Sequence, residues 1–194
     1  MPRSAVSRSS RSASGGVRRK KSPTALDLLK EDHAQVTKLF KQFQRFHKDD
    51  DNEGMQSCAQ AACRALEIHA QIEEEIFYPA LREAANAEDA LDEADVEHAH
   101  IKELVAQLDG AEPGDEHFEA RVKVLSEYVA HHVAEEESTI FAKARKAAVD
   151  LEALGERLRA RKEELGGDEL PGANAAVAQR PRARRPRNGT RPAR

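Results

Sequence analysis

The chain has no tryptophan, two cysteines, and aromatic residues at 4% of its 194 positions. Cys58 and Cys63 stand five apart, outside the close spacings that mark zinc sites and thioredoxin-like redox pairs. On a helix they would diverge by about 140°, and a disulfide between them would strain it. They read as reduced core or near-core residues, not as redox sensors. No apolar run is long enough to span a membrane, and the opening MPRSAVSRSSRSASGGVRRKKS has no apolar stretch of the kind a secretory leader needs. The expected location is cytoplasmic, with no membrane partner. Neither a nucleophile and base pair nor a cofactor-binding loop is evident, so any catalysis is expected to be that of a bound metal.

Charge is abundant, at 34% of residues, and it is segregated. Residues 1–22 hold seven Lys and Arg and no acid, and residues 171–194 hold seven Arg and no acid. Taking those 14 from the 31 basic residues leaves 17 in residues 23–170 against all 35 acidic ones, a net of −18 within a whole-chain charge of −4. The ends, rich in Ser, Gly, Pro and Arg, have almost nothing to bury, which predicts disorder over 1–22 and 167–194. Such polycations neutralise phosphates in a salt-dependent, sequence-independent way, making nucleic acid a candidate partner. Neither end has an aromatic residue to stack on a base. Solubility, or folding back onto the acidic body, competes as their role.

Between the ends the pattern is helical throughout. Thr24 and Asp27 resemble a capping box, opening a helix to about Phe46 with Leu26, Leu29, His33, Val36 and Phe40 on one stripe. The polar HKDDDNEG breaks the pattern. A second helix is predicted over 55–84, burying Leu66, His69, Glu73 and Phe77, with Pro79 expected to kink it. A third is placed at 89–109 and a fourth at 115–147, the latter with Val124, Tyr128, His132 and Glu136 along its inner stripe. A fifth, shorter helix at 149–165 carries Leu151, Leu154 and Leu158. Short connections favour antiparallel neighbours, so the predicted fold is all-α: an up-down-up-down four-helix bundle over 23–147, an accessory helix over 148–166 and two basic tails.

Two of these helices repeat one pattern. His69-x-x-x-Glu73 is followed by Phe77, Tyr78 and Pro79, and His132-x-x-x-Glu136 by Ile140, Phe141 and Ala142. Residues four apart share a helix face, so each pair offers an imidazole nitrogen and a carboxylate to the same point. His33 and His98 stand alone on the other two helices. A lone histidine is ordinarily structural, as His47 and His117 near helix ends are read to be. Six donors on compatible faces of four helices would be costly in a bundle core unless they held something. Nitrogen and carboxylate donors suit iron or manganese and also accept zinc.

The segments LDLLKEDHAQVTKLF, HAQIEEEIFYPAL, EHAHIKELVAQL and HHVAEEESTIF together resemble the hemerythrin-like family of HHE cation-binding domains over roughly residues 24–166. The resemblance implies a four-helix bundle holding non-haem iron. It further implies two ions per chain bridged by oxo or carboxylate groups, with His33, His69, His98 and His132 as terminal ligands and Glu73 and Glu136 as bridging carboxylates. An open position would then take dioxygen, nitric oxide or peroxide, with Phe40 and Phe77 as its apolar wall. The full oxygen-carrying pattern has a fifth histidine one turn past His98, where this chain has Lys102. His100 would point about 160° away from His98. His131, beside His132, and Tyr128, one turn before it, are candidates for a ligand or for a hydrogen bond to one. The functional expectation is a protein that binds or senses O2, NO or peroxide, or buffers iron. Its alternatives are a di-iron enzyme that removes peroxide or nitric oxide, and a nucleic-acid-associated protein acting through its basic ends.

Overall fold

The computed structural model describes residues 22–85 and 87–167. The two basic ends expected to be disordered lie outside these residues, save for Ser22 and Gly167. Helix α1, Ala25–Lys48, starts on the capping box anticipated at Thr24. The Thr24 hydroxyl accepts from the Asp27 amide, and the Asp27 carboxylate accepts from the Thr24 amide at 2.9 Å, satisfying two amides that a helix start leaves bare. Helix α2, Asn52–Ile72, starts on Asp51, whose side chain accepts from the Gly54 amide. A Cβ at Gly54 would fall 2.5 Å from the Phe46 ring, so the end of α1 packs where only glycine leaves room.

Helix α2 runs through a π-helical turn, Glu73–Phe77, into α3, Tyr78–Ala84. Helix α4 is Glu88–Leu108, and α5, Phe118–Glu135, runs through a second π turn, Glu136–Ile140, into α6, Phe141–Ala144. Helix α7 is Leu151–Glu164, and the described residues form no strand. No helix among them is long and apolar enough to cross a membrane. The pairs α1–α2, α2–α4, α4–α5 and α5–α1 are neighbours, which closes the ring of an up-down-up-down bundle.

Two apolar clusters fill the bundle. One contains Val36, Phe40, Phe43, Leu66, Ile101, Val105, Leu125 and Val129, with Cys58 buried in it and Cys63 against it. The other contains Leu29, Ile72, Phe77, Tyr78, Leu91, Ile140 and Phe141, with Leu154 and Leu158 of α7. Between them lies a polar layer of four histidines and two glutamates: His33, His69, Glu73, His98, His132 and Glu136, none more than 5% exposed.

Each π turn begins at the glutamate of an HxxxE pair. In α2 the turn closes with a bond from the Tyr78 amide to the Glu73 carbonyl, and in α5 with one from the Phe141 amide to the Glu136 carbonyl. An i→i+5 bond sets the fifth residue one turn above the glutamate, where a regular α-helix would carry it about 140° round. The irregularity expected at Pro79 therefore has a wider cause than proline, because the second π turn precedes Ala142 and contains no proline. Both serve to bring an aromatic ring, Tyr78 or Phe141, over the polar layer.

Helix α7 lies along the outside of the α1–α2 pair. Its Gly155 meets the start of α1 so closely that a Cβ there would come within 2.8 Å of the Thr24 and Ala25 backbone. Arg161 bonds Glu75 at 2.7 Å, Lys162 bonds Asp32, and Arg64 of α2 donates to the Leu165 carbonyl at 2.6 Å.

Candidate metal centre

The polar layer is assembled from four helices. His33 on α1 and His98 on α4 stand one residue after an acid, Asp32 and Glu97. His69 on α2 and His132 on α5 lie one turn before Glu73 and Glu136, each followed by a second acid, Glu74 and Glu137. The Nε2 atoms point inward in pairs, 3.2 Å apart for His33 and His69 and 3.1 Å for His98 and His132. Glu73 Oε2 is 3.2 Å from His69 Nε2 and 3.4 Å from His98 Nε2, so it joins both pairs. Glu136 Oε2 is 3.1 Å from His33 Nε2. Donor atoms of His33, His69, Glu73 and Glu136 form one set within 4.8 Å of one another, and those of Glu73, His98 and His132 form another. Of the two carboxylates expected to bridge, Glu73 belongs to both sets and Glu136 to one.

The Nδ1 atoms face outward, each toward a carboxylate. His33 faces Glu137 at 3.0 Å, His98 faces Glu74 at 3.0 Å, and His132 faces Glu97 at 2.8 Å. His69 faces Asp32 at 3.6 Å, too long for a hydrogen bond. The three hydrogen-bonded carboxylates hold the Nδ1 proton and leave Nε2 free as a metal donor. Each of the four also meets a nitrogen group farther out: the ammonium of Lys30 for Glu137, of Lys102 for Glu74 and of Lys162 for Asp32, and the His131 imidazole for Glu97. The arrangement of the imidazoles and the carboxylates facing them is pseudo-two-fold, α1 relating to α4 and α2 to α5, and it breaks only at the outermost partners, where Lys162 of α7 meets Asp32 and His131 of α5 meets Glu97.

Among the protein groups alone, burial and the neighbouring Glu136 push the Glu73 carboxyl well above the usual carboxylate range. Burial acts the same way on Glu136, but His33, Glu73 and His69 outweigh it and hold that group down at about 2. Burial and then the charge of His98 draw His132 down to about 4, and burial lowers His69. Burial opposes charge on His33 too, yet Glu136 and Glu137 raise it. Two crowded carboxyls cannot both ionise cheaply, so the layer holds protons that a cation would displace. Glu73 Oε1, Glu136 Oε1 and His69 Nδ1 have no hydrogen-bond partner. Each such buried atom costs about 1–3 kcal/mol, a cost that coordination of the carboxylates would remove. A set of imidazole and carboxylate donors with orphaned oxygens fits a metal ion.

The aromatic residues are placed differently from expectation. Phe141 stacks on His33 at 6.0 Å, and Tyr78 stacks on His98 at 5.6 Å with its hydroxyl 3.5 Å from Glu73 Oε2. Phe77 lies behind them, against both Tyr78 and Phe141. Phe40, expected as part of the same wall, belongs instead to the other apolar cluster, one turn beyond Val36, and lines a cavity of about 320 Å³ with Phe43 and residues of α5.

Tyr128 and Val124 are not on the inner stripe: they are 44% and 39% exposed, and the Tyr128 ring packs on His100. Stepping back from His132 by fours drifts about 40° per step in the direction opposite to the buried Val129, Leu125, Val122 and Phe118. His131 is exposed and reaches the site through Glu97. Lys102, in place of a fifth histidine, bonds Glu74 at 2.6 Å. Asp32, Glu97 and Tyr78 went unassigned in the sequence reading. The signal for the two acids was an acidic residue directly before each lone histidine.

Residues 24–144 match the hemerythrin HHE cation binding domain. The chain is 29% identical over 154 residues to a DNA nickase from Nostoc sp. (strain PCC 7120 / SAG 25.82 / UTEX 2576), a match that takes in 79% of this chain. The chain spans 40% of that relative's length. A solved hemerythrin HHE cation binding domain-containing protein from Mycobacterium kansasii shares the fold with a TM-score of 0.64 at 24% identity, over 76% of this chain and 90% of that one. The family match runs from the cap of α1 to the end of α6 and takes in all six inner donors, so this chain is a metal-binding member of the hemerythrin HHE cation binding domain family.

Proposed function

We propose that the cage holds two iron ions and that the protein, in the cytoplasm, uses them to bind or sense O2, NO or peroxide, or to buffer iron. One ion would be held by His33, His69 and Glu136, the other by His98 and His132, with Glu73 shared. The observation that carries this reading is the orientation of all four imidazoles: each aims Nε2 at the buried carboxylates and turns Nδ1 to an outer one. When bound, two such ions supply a redox-active centre with open coordination positions for a small oxidant. The chain's own part is to orient the imidazoles, to balance charge through Glu73 and Glu136, and to exclude water with Tyr78, Phe77 and Phe141. Metal analysis and optical spectra of protein purified anaerobically and then exposed to air test the reading. About two irons per chain and a new near-ultraviolet or visible band are expected. Zinc alone, or no spectral change after iron reconstitution, would overturn it.

A second reading has its own support, in the Nostoc DNA nickase and in the basic residues 1–22 and 171–194. Here the chain associates with DNA through its ends. Retention of duplex DNA that falls steeply with salt, and disappears when both ends are deleted, is the expected result. Equal retention by the shortened chain would refute it.

A further inference from the structure

We propose that an acidic cleft between α4 and α5 is the route by which a divalent cation reaches the cage, with Glu97 and Glu135 of its lining, and His131 beside them, as a transit site. The inference rests on the metal-centre reading above and deepens it. The cleft has a volume of about 90 Å³, several times the ~10–15 Å³ that one water needs. Glu93, Glu97, Glu135 and Thr139 line it, and Glu136 and His132 close its inner end. The side chains descend in exposure from His131 at 64% and Glu135 at 45%, through Glu97 at 16%, to Glu136 at 0%. Their ligand atoms lie close enough for one ion: His131 Nε2 is 3.4 Å from Glu97 and 3.6 Å from Glu135. At the buried end stands a carboxylate short of partners: Glu136 Oε1 has no hydrogen-bond partner, and Oε2 meets His33 Nε2 at 3.1 Å.

The pseudo-two-fold provides an internal comparison. His33 and His98 are 65 residues apart and His69 and His132 are 63 apart, so each position lining the cleft has a counterpart on the α1–α2 side. There Glu93 becomes Leu28, Ala94 becomes Leu29, Glu135 becomes Ile72 and Thr139 becomes Ile76. Those four residues pack into the apolar cluster that also receives α7. Lys162 covers Asp32, the counterpart of Glu97, and the crevice beside them has no room for a water molecule. One side of the cage is thus walled with hydrocarbon and covered by an extra helix, while the other has carboxylates at two of the four positions, Glu93 and Glu135, and no covering helix among the described residues. Carboxylates lining a narrow cleft raise the arrival rate of cations by about 10–10³-fold.

The test is the rate at which the full-length, metal-stripped protein takes up cobalt(II), followed anaerobically by the visible absorption of the bound ion. Glu93→Gln/Glu135→Gln should load at least tenfold more slowly than the parent, with the same final stoichiometry and a weaker dependence of rate on salt. Glu93→Leu/Thr139→Ile, which installs the residues of the walled side, should slow loading at least as much. Glu103→Gln/Glu112→Gln removes the same charge elsewhere and should change the rate less than twofold. Unchanged rates in both cleft variants, equal slowing in the control pair, or a reduced final stoichiometry would each overturn the proposal. Failure of the metal-centre reading looks different: the parent itself would take up no cobalt, or His69→Ala and His132→Ala would take up as much as the parent.

Discussion

Replacing Glu73 by glutamine should have opposite effects on stability with and without metal. Glu73 is 0% exposed and shares the layer with Glu136, which stays ionised down to about 2. Burial and that neighbour raise the Glu73 pKa well above its ordinary value. A carboxyl whose pKa is raised on folding stabilises the fold fully below its unfolded pKa and loses that contribution as pH rises through the folded value. In metal-stripped protein the cost of Glu73 therefore grows from pH 5 to pH 8, at about 1.36 kcal/mol per unit of pKa difference traversed. Glutamine has the same shape, does not titrate, and its amide can donate to Glu136. Exchanging a buried charge for a packed neutral group gains about 1–4 kcal/mol, so Glu73→Gln should raise the melting temperature of stripped protein at pH 8 by roughly 2–4 °C per kcal/mol. At pH 5 the gap should shrink, since the Glu73 carboxyl is then closer to neutral, as the glutamine is throughout. The histidine titrations occur in both proteins and largely cancel in the difference. With metal at a thousandfold above its dissociation constant the parent gains ~4 kcal/mol, and the variant, lacking the shared carboxylate, should fall below it. Calorimetry at both pH values, with chelator and with iron(II), reads all four cases. A stripped variant less stable than the parent at pH 8, or a gap that does not change with pH, would refute the reasoning.

Asp32→Asn removes the charge facing His69 Nδ1 and should weaken metal affinity by about 10–100-fold, measured by competition with a coloured chelator, while the helix content is unchanged. Gly155→Ala places a methyl group against the Thr24 and Ala25 backbone and should destabilise by about 1–3 kcal/mol, seen in urea unfolding. Burial pushes the Cys63 thiol up to about 12, so at pH 8 its thiolate fraction is about 10⁻⁴, against roughly a quarter for a free thiol. Labelling of native protein with a thiol-specific disulfide reagent should accordingly be at least a hundredfold slower than labelling in urea.

The helices and the two HxxxE pairs were legible because both follow from local periodicity, whereas the lone His33 and His98 joined them as ligands through the family resemblance. A capping box at Thr24, the stripe from Leu26 to Phe40 and the HxxxE pairs all depend on residues within a turn or two of one another. What was not legible depended on where neighbouring helices lie. Asp32 and Glu97 look like any exposed acid until α2 and α5 bring a histidine to each. Phe40 shares a face with His33 but sits two turns away, and no periodicity reports that distance. Tyr128 was misplaced because steps of four residues drift off the face that alternating steps of three and four maintain. The π turns escaped for a related reason: Pro79 signals one of them, and the other begins at Glu136 with no residue that marks it.

The pseudo-two-fold has a consequence for what the smallest self-sufficient unit is. A single hairpin, α1 with α2 and α3, contributes His33, His69 and Glu73, which is half of the cage and one of its two rings. Two identical copies of that hairpin, associated about the same axis, would supply four imidazoles and two carboxylates, the full inner complement. The chain is in this sense a dimer of hairpins joined by a linker, and the joining is what allows the halves to differ. A symmetric pair would have to wall both flanks or open both, whereas one continuous chain can give α7 to the first flank and, among the described residues, no such helix to the second.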